Sequence, residues 1–189
     1  MISGVTRRTA LIGLSTVAAF PAFAQTAPAG RPKQDNTEYA ELERPAVLDV
    51  VSTTGSLKET AQKGAELIWH RKGTPAERRF QITNIAVAFL RSETGGQVKM
   101  TFSCNVSSLG FLVEEAKLNV IVRSKGGGAI YTWSLGIAVK CADKNQSLTP
   151  LTQDVPNDIA ANVFTNANTV EVTEYTEPNF PGVKVQRCG

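Results

Sequence analysis

From Phe80 to Cys141 the chain alternates apolar and polar residues with a period of two, the pattern of strands that bury one face and show the other to water. In the run GQVKMTFSCNV (96–106), Val98, Met100, Phe102, Cys104 and Val106 fall on one side and Gln97, Lys99, Thr101, Ser103 and Asn105 on the other. Ala116, Leu118, Val120 and Val122 continue the pattern, and so do Ala129, Tyr131, Trp133, Leu135, Ile137 and Val139. The connections at 92–96 and 124–128 are short and rich in glycine, with no room for crossover helices. Four successive strands are therefore expected to form an antiparallel meander. Phe80 and Ile82 are out of phase with Ile85, Val87 and Phe89, which predicts a bulge near Asn84 if one face is buried.

The flanks are more varied. Residues 46–51 read as a first strand, and Ser56-Leu-Lys-Glu59 has the form of a capping box. Leu57, Ala61, Ala65 and Ile68 recur at helical spacing, so a short helix is expected there, with 66–71 able to form a strand instead. Ile159, Ala160, Val163 and Phe164 follow Pro156 at helical spacing and predict a second short helix. Residues 169–176 and 183–188 read as closing strands. The expected fold is all-β and mainly antiparallel, a two-sheet sandwich of seven or eight strands with one or two short helices. A small β-barrel is the alternative.

The N-terminus has the layout of an export signal: a basic leader with Arg7 and Arg8, a moderately apolar stretch, and Ala22-Phe23-Ala24 ahead of the expected cut. Thr6-Arg7-Arg8-Thr9-Ala10-Leu11 resembles the twin-arginine signal, departing from it at Ala10, where a Phe is usual. The resemblance implies a periplasmic or secreted protein without a membrane span in its mature form. Three regions follow: a cleaved signal over 1–24, a flexible Pro- and Ala-containing linker over 25–43, and a single domain over 44–189. Cleavage removes two arginines and no acidic residue, taking the formal charge from +3 to +1. That balance gives no electrostatic footprint for nucleic acid.

Catalytic and metal-binding patterns are sparse. His70 is the one histidine, and no Gly-x-Ser-x-Gly elbow presents a nucleophile beside it. The three cysteines stand 37 and 47 positions apart, without the paired spacing of a zinc cage. No catalytic residue, metal site or cofactor is assigned. The remaining candidate is an anion-binding patch of His70, Arg71 and Lys72 with Arg78 and Arg79, which bracket the turn at 73–75. An ordinary solvated turn, with Glu66 and Glu77 as partners, is the competing reading. Tyr131 and Trp133 share a face with aliphatic residues and are expected in the core. Of Glu171, Glu174 and Glu177 near the last strands, Glu171 alternates away from Val170 and Val172 as a solvent-facing residue does, and the carboxylates support no glycosidase assignment.

An exported compartment permits disulfides, and three cysteines leave one over. In a meander the strands of Cys104 and Cys141 are separated by one strand, about 10 Å, beyond bridging reach. Cys141 with Cys188 is therefore the expected disulfide, closing a loop worth about 3–4 kcal/mol in the chain-entropy model. Cys104 is then a free, buried core residue.

These features point to a non-enzymatic exported binding or accessory protein that recognises a protein or envelope component. A carboxylate-dependent hydrolase and a barrel-type carrier of small ligands are the alternatives.

Overall fold

The computed structural model describes residues 37–187 except 53, 72–73, 95, 109–110, 142–143 and 176–181, and leaves out the side chains of 37–38, 71, 74–79, 111–114 and 187. Twelve strands and one helix are described: β1 (Thr37–Leu42), β2 (Ala46–Ser52), β3 (Leu57–Ala61), β4 (Glu66–Arg71), β5 (Thr74–Arg91), β6 (Val98–Ser108), β7 (Phe111–Ser124), β8 (Ala129–Val139), β9 (Gln146–Ser147), β10 (Leu151–Val155), α1 (Asn157–Asn166), β11 (Ala167–Glu174) and β12 (Val183–Arg187). The fold is mostly antiparallel β, as the alternation predicts, but in an open sheet of twelve strands rather than the expected seven or eight.

Two long strands organise the sheet. On one edge β5 pairs with β6 from Phe80 to Arg91; on the other it pairs first with β4 and then with β3. On one edge β7 pairs with β8, and on the other with β12 and then β11. β2 links β3 to β11, and β1 links β4 to β12. β10 and the two-residue β9 lie on the outer edge of β6.

The predicted bulge is present. Asn84 has φ 51°, and the β5–β6 register skips between Thr83 and Ala86. Asparagine tolerates that left-handed conformation better than most residues. The extra residue turns the chain over, so Phe80 and Ile82 before it and Ile85, Val87 and Phe89 after it are all buried. Just beyond, the buried Thr60 hydroxyl accepts a hydrogen bond from the Val87 amide at 2.9 Å, a side chain standing in where the ladder is distorted.

Three expectations are corrected. The capping-box segment is not a helix: it forms β3, a turn with Gly64 at φ 72°, and β4. Leu67 and Trp69 are fully buried there, so packing overrides the helical spacing. The linker does not extend to 43, because β1 inserts between β12 and β4 with Ala40 fully buried. Gly182 makes that insertion possible, since it has φ 123° and a Cβ there would overlap the Ala40 carbonyl oxygen. The meander is broken too: β5–β6 and β7–β8 are hairpins, but β6 does not pair with β7.

Helix α1 is the predicted one. It starts after Pro156, whose carbonyl accepts from the amides of Ile159 and Ala160, and it buries Ala160, Val163 and Phe164. The guanidinium of Arg91 lies 4.0 Å from the centre of the Phe164 ring and the Lys58 ammonium 5.5 Å away, fastening the helix to β5 and β3. In the core Trp69 and Phe80, cross-strand partners on β4 and β5, stack at 4.6 Å between ring centres. Burying each apolar side chain of this kind contributes about 1.5–3 kcal/mol.

Candidate functional site

Cys104 lies on the buried face of β6, 3% exposed and free. Burial pushes its thiol up to about 12, so at neutral pH it is a protonated core group rather than a nucleophile or a metal ligand. The broken meander removes the spacing argument that separated Cys104 from Cys141. Cys188 lies outside the described residues.

The β4–β5 hairpin sets His70 opposite Arg78 and Arg71 opposite Thr74, while β1 sets Glu41 opposite His70 from the other side. His70 Nε2 stands 3.2 Å from Glu43 Oε2, a partner 27 positions upstream. The sequence had offered Glu66 and Glu77 as the local acids, but Glu66 pairs with Thr83 further along the hairpin. Lys72 and the side chains of Arg71, Arg78 and Arg79 lie outside the described residues. The anion patch is thus brought together in backbone register only, and its one described side chain is engaged by a carboxylate.

The acidic trio also divides. Glu171 is half-buried and paired with Arg123, whose Nη2 and Nε lie 2.6 and 2.7 Å from its Oε2. Arg123 also donates to the Gly127 carbonyl, tying the 124–128 turn to β11. Glu174 is half-buried at the end of β11, and burial raises its carboxyl above the ordinary value. The nearby charge of Glu41 raises it further, opposed by the Trp69 indole N–H and the backbone amides of Leu42 and Val183. Trp69 Nε1 and Glu174 Oε1 are both buried, and neither closes a hydrogen bond. This grouping of Glu174, Glu41 and Trp69 draws on three strands far apart in sequence, and local patterning carries no signal for it. Glu177 lies outside the described residues.

The outer face of the sheet is more distinctive. Val47 and Val51 on β2 are 47% and 44% exposed, and Leu90 on β5 is 51% exposed. Register places them on one continuous surface: Val51 opposes Glu59, Glu59 opposes Ala88, and Leu57 opposes Leu90. Asp49 and Glu59 stand exposed among these apolar side chains, so the surface mixes aliphatic area with negative charge. The hollows of the molecule are open and polar. One of about 560 Å³ lies between the 124–130 turn and the end of α1, lined by Ser124, Lys125, Asn162, Thr165 and Asn168. Another of about 300 Å³ is lined by Glu115, Lys117, Ser134, Gly136 and Tyr175.

Among the described residues, no three His, Cys, Asp or Glu side chains are grouped so as to hold a metal ion. No helix among them is long and apolar enough to cross a membrane. No protein-family model, curated protein or solved structure matches the chain.

Proposed function

We propose that the protein is an exported, periplasmic or secreted, binding or accessory module without catalytic activity, recognising a protein partner through the outer face of β2, β3 and β5. The observation that carries this is the alignment of Val47, Val51 and Leu90 on one uncovered surface with Asp49 and Glu59 between them. Exposed aliphatic area of this kind, with Asp49 and Glu59 among it and Lys99 opposite Leu90, suits a protein partner that presents apolar side chains of its own. Cleavage after residue 24 and the twin-arginine route belong to this proposal, as does a two-sheet sandwich in which β5 and β7 pass from one sheet to the other.

A Cys141–Cys188 disulfide belongs to it as well. Val139 of β8 and Val185 of β12 both oppose Val113 of β7, so the two strands run past the start of β7 on either side. The two strands therefore end at the same end of β7, which supports pairing of the cysteines that follow them.

The test is a photo-crosslinking residue at position 51 in the exported protein. A discrete cross-linked partner is expected, and the paired substitution Val51→Arg and Leu90→Arg should abolish it while the protein remains folded. Cross-linking that survives both substitutions refutes the assignment of this face.

A second reading, a carboxylate-dependent hydrolase, is favoured by Glu174 alone, a carboxyl raised by burial with Glu41 beside it. Hydrolysis of a polysaccharide that is lost in Glu174→Gln and Glu41→Gln would support it over the binding module.

A further inference from the structure

The sheet has one edge strand, β8, with few of the devices that usually prevent edge pairing, a bulge at Ile130 among them. β8, AIYTWSLGIAV, is eleven residues long and contains no Lys, Arg, Asp, Glu or Pro. It pairs with β7 along one side, and among the described residues no strand pairs with the other. Natural edges are blunted by shortness, proline, charge or a covering element. The opposite edge shows the contrast: β10 has five residues, is preceded by Pro150 and followed by Pro156, and carries Asp154, which pairs with Lys99 at 3.9 Å.

We propose that β8 pairs with the β8 of a second copy of this chain, antiparallel across a two-fold axis, joining two sheets into one. The observation in favour of a second copy is the self-complementarity of the strand. The register of fullest overlap is centred on Ser134, which then faces its own counterpart. In that register Trp133 meets Leu135 of the other copy and Tyr131 meets Ile137, all side chains of the inner face. On the outer face Thr132 meets Gly136, and the ladder ends at Tyr131, because a bulge follows and Ile130 packs against the core. No charge meets a like charge anywhere along the ladder, and like charges directly opposite are the usual obstacle to a strand pairing with itself. Trp133 and Leu135 remain 9% and 7% exposed at this edge, whereas the core residues Leu118 and Val120 on neighbouring β7 are fully buried. A second sheet would complete their burial. The outward residues Thr132, Ser134, Gly136 and Ala138 are small and exposed, with the Glu115 side chain of β7 lying over Gly136. The contact is isologous and closes at two copies. It does not depend on the partner surface proposed above.

The experiment is light scattering coupled to size exclusion on the mature full chain over a range of concentrations, with Ser134→Lys and Thr132→Lys as variants. Both positions are exposed, and unchanged thermal melting shows that the variants fold. The native protein is expected to run as a dimer and each variant as a monomer. An equimolar mixture of Ser134→Lys and Ser134→Glu is expected to regain the dimer, because opposite charges then face each other at the dyad. A native monomer up to the solubility limit overturns the proposal, and so does a dimer that survives both lysine substitutions. A monomer whose β8 amides gain protection from hydrogen exchange only when another protein is added also overturns it, identifying a foreign strand as the occupant.

Discussion

β10 and β8 are both edge strands of one sheet, yet they are built on opposite principles. β10 is short, bracketed by prolines and carries a charge, whereas β8 is long, uncharged and free of proline. β8 buries Trp133, Leu135, Ile137 and Val139, whereas of β10 only Val155 is buried. The two also differ in backbone access. A proline cannot donate to a ladder and a charge resists desolvation, so β10 ends the sheet while β8 leaves it open to extension.

The comparison can be broken most severely in the core beneath each edge. Phe102, opposite Leu151 of β10, is 1% exposed, and Phe102→Ala is expected to cost about 3–5 kcal/mol in urea unfolding. Leu135→Ala on β8 is expected to cost about 2 kcal/mol, the low end for a buried leucine, because its site still touches solvent. Equal losses would show that β8 is as fully covered as β6. Opening the guarded edge is a smaller change. Pro150→Ser with Asp154→Ser is expected to cost about 0.5–1 kcal/mol and to raise light scattering on mild heating, since β10 then lacks its two blocking devices. Lys99→Ala, which removes only the partner of Asp154, is expected to shift stability by about 0.5 kcal/mol or less, because both side chains are more than half exposed.

The response to pH sharpens the same contrast. β8 carries no group that titrates between about pH 5 and 8, so its pairing should be insensitive to pH there. Overall stability should not be. Because the folded protein holds the Glu174 carboxyl above its ordinary value, the folded state binds the proton more tightly than the unfolded chain. The stability this gives is fully present below the ordinary carboxyl value and is lost as pH rises through the raised one. Glu174→Gln should flatten that dependence in urea titrations, and an unaltered slope would show that Glu174 is ordinarily solvated.

The elements legible in the sequence are those whose pattern is local and repeated. On β6 every second residue from Val98 to Ser108 is buried, so six residues share one face and the five between them share the other. The phase change at Asn84 was visible because it flips a pattern established on both sides, and α1 because Pro156 and the spacing of Ala160, Val163 and Phe164 agree. Leu57, Ala61, Ala65 and Ile68 misled because four coincident positions mimic a helix, while the real determinant, burial of Leu67 and Trp69 against β5, is a tertiary contact. β1 was hidden because it is held by β4 and β12, whose sequences lie far downstream. The sites were the least legible: His70 with Glu43, and Glu174 with Glu41 and Trp69, are brought together only by strand order.

The sequence by itself determined that this chain makes antiparallel strands, which face of β6, β7 and β8 is buried, where β5 turns over and where the helix begins. These follow from residue periodicity and backbone sterics acting over a few neighbours. The tertiary structure alone decided which strands pair, which acids meet His70 and Trp69, and which edge stays open. Strand pairing is set by competition among backbone groups that are chemically alike in every strand, and only the packing of the whole core distinguishes one partner from another.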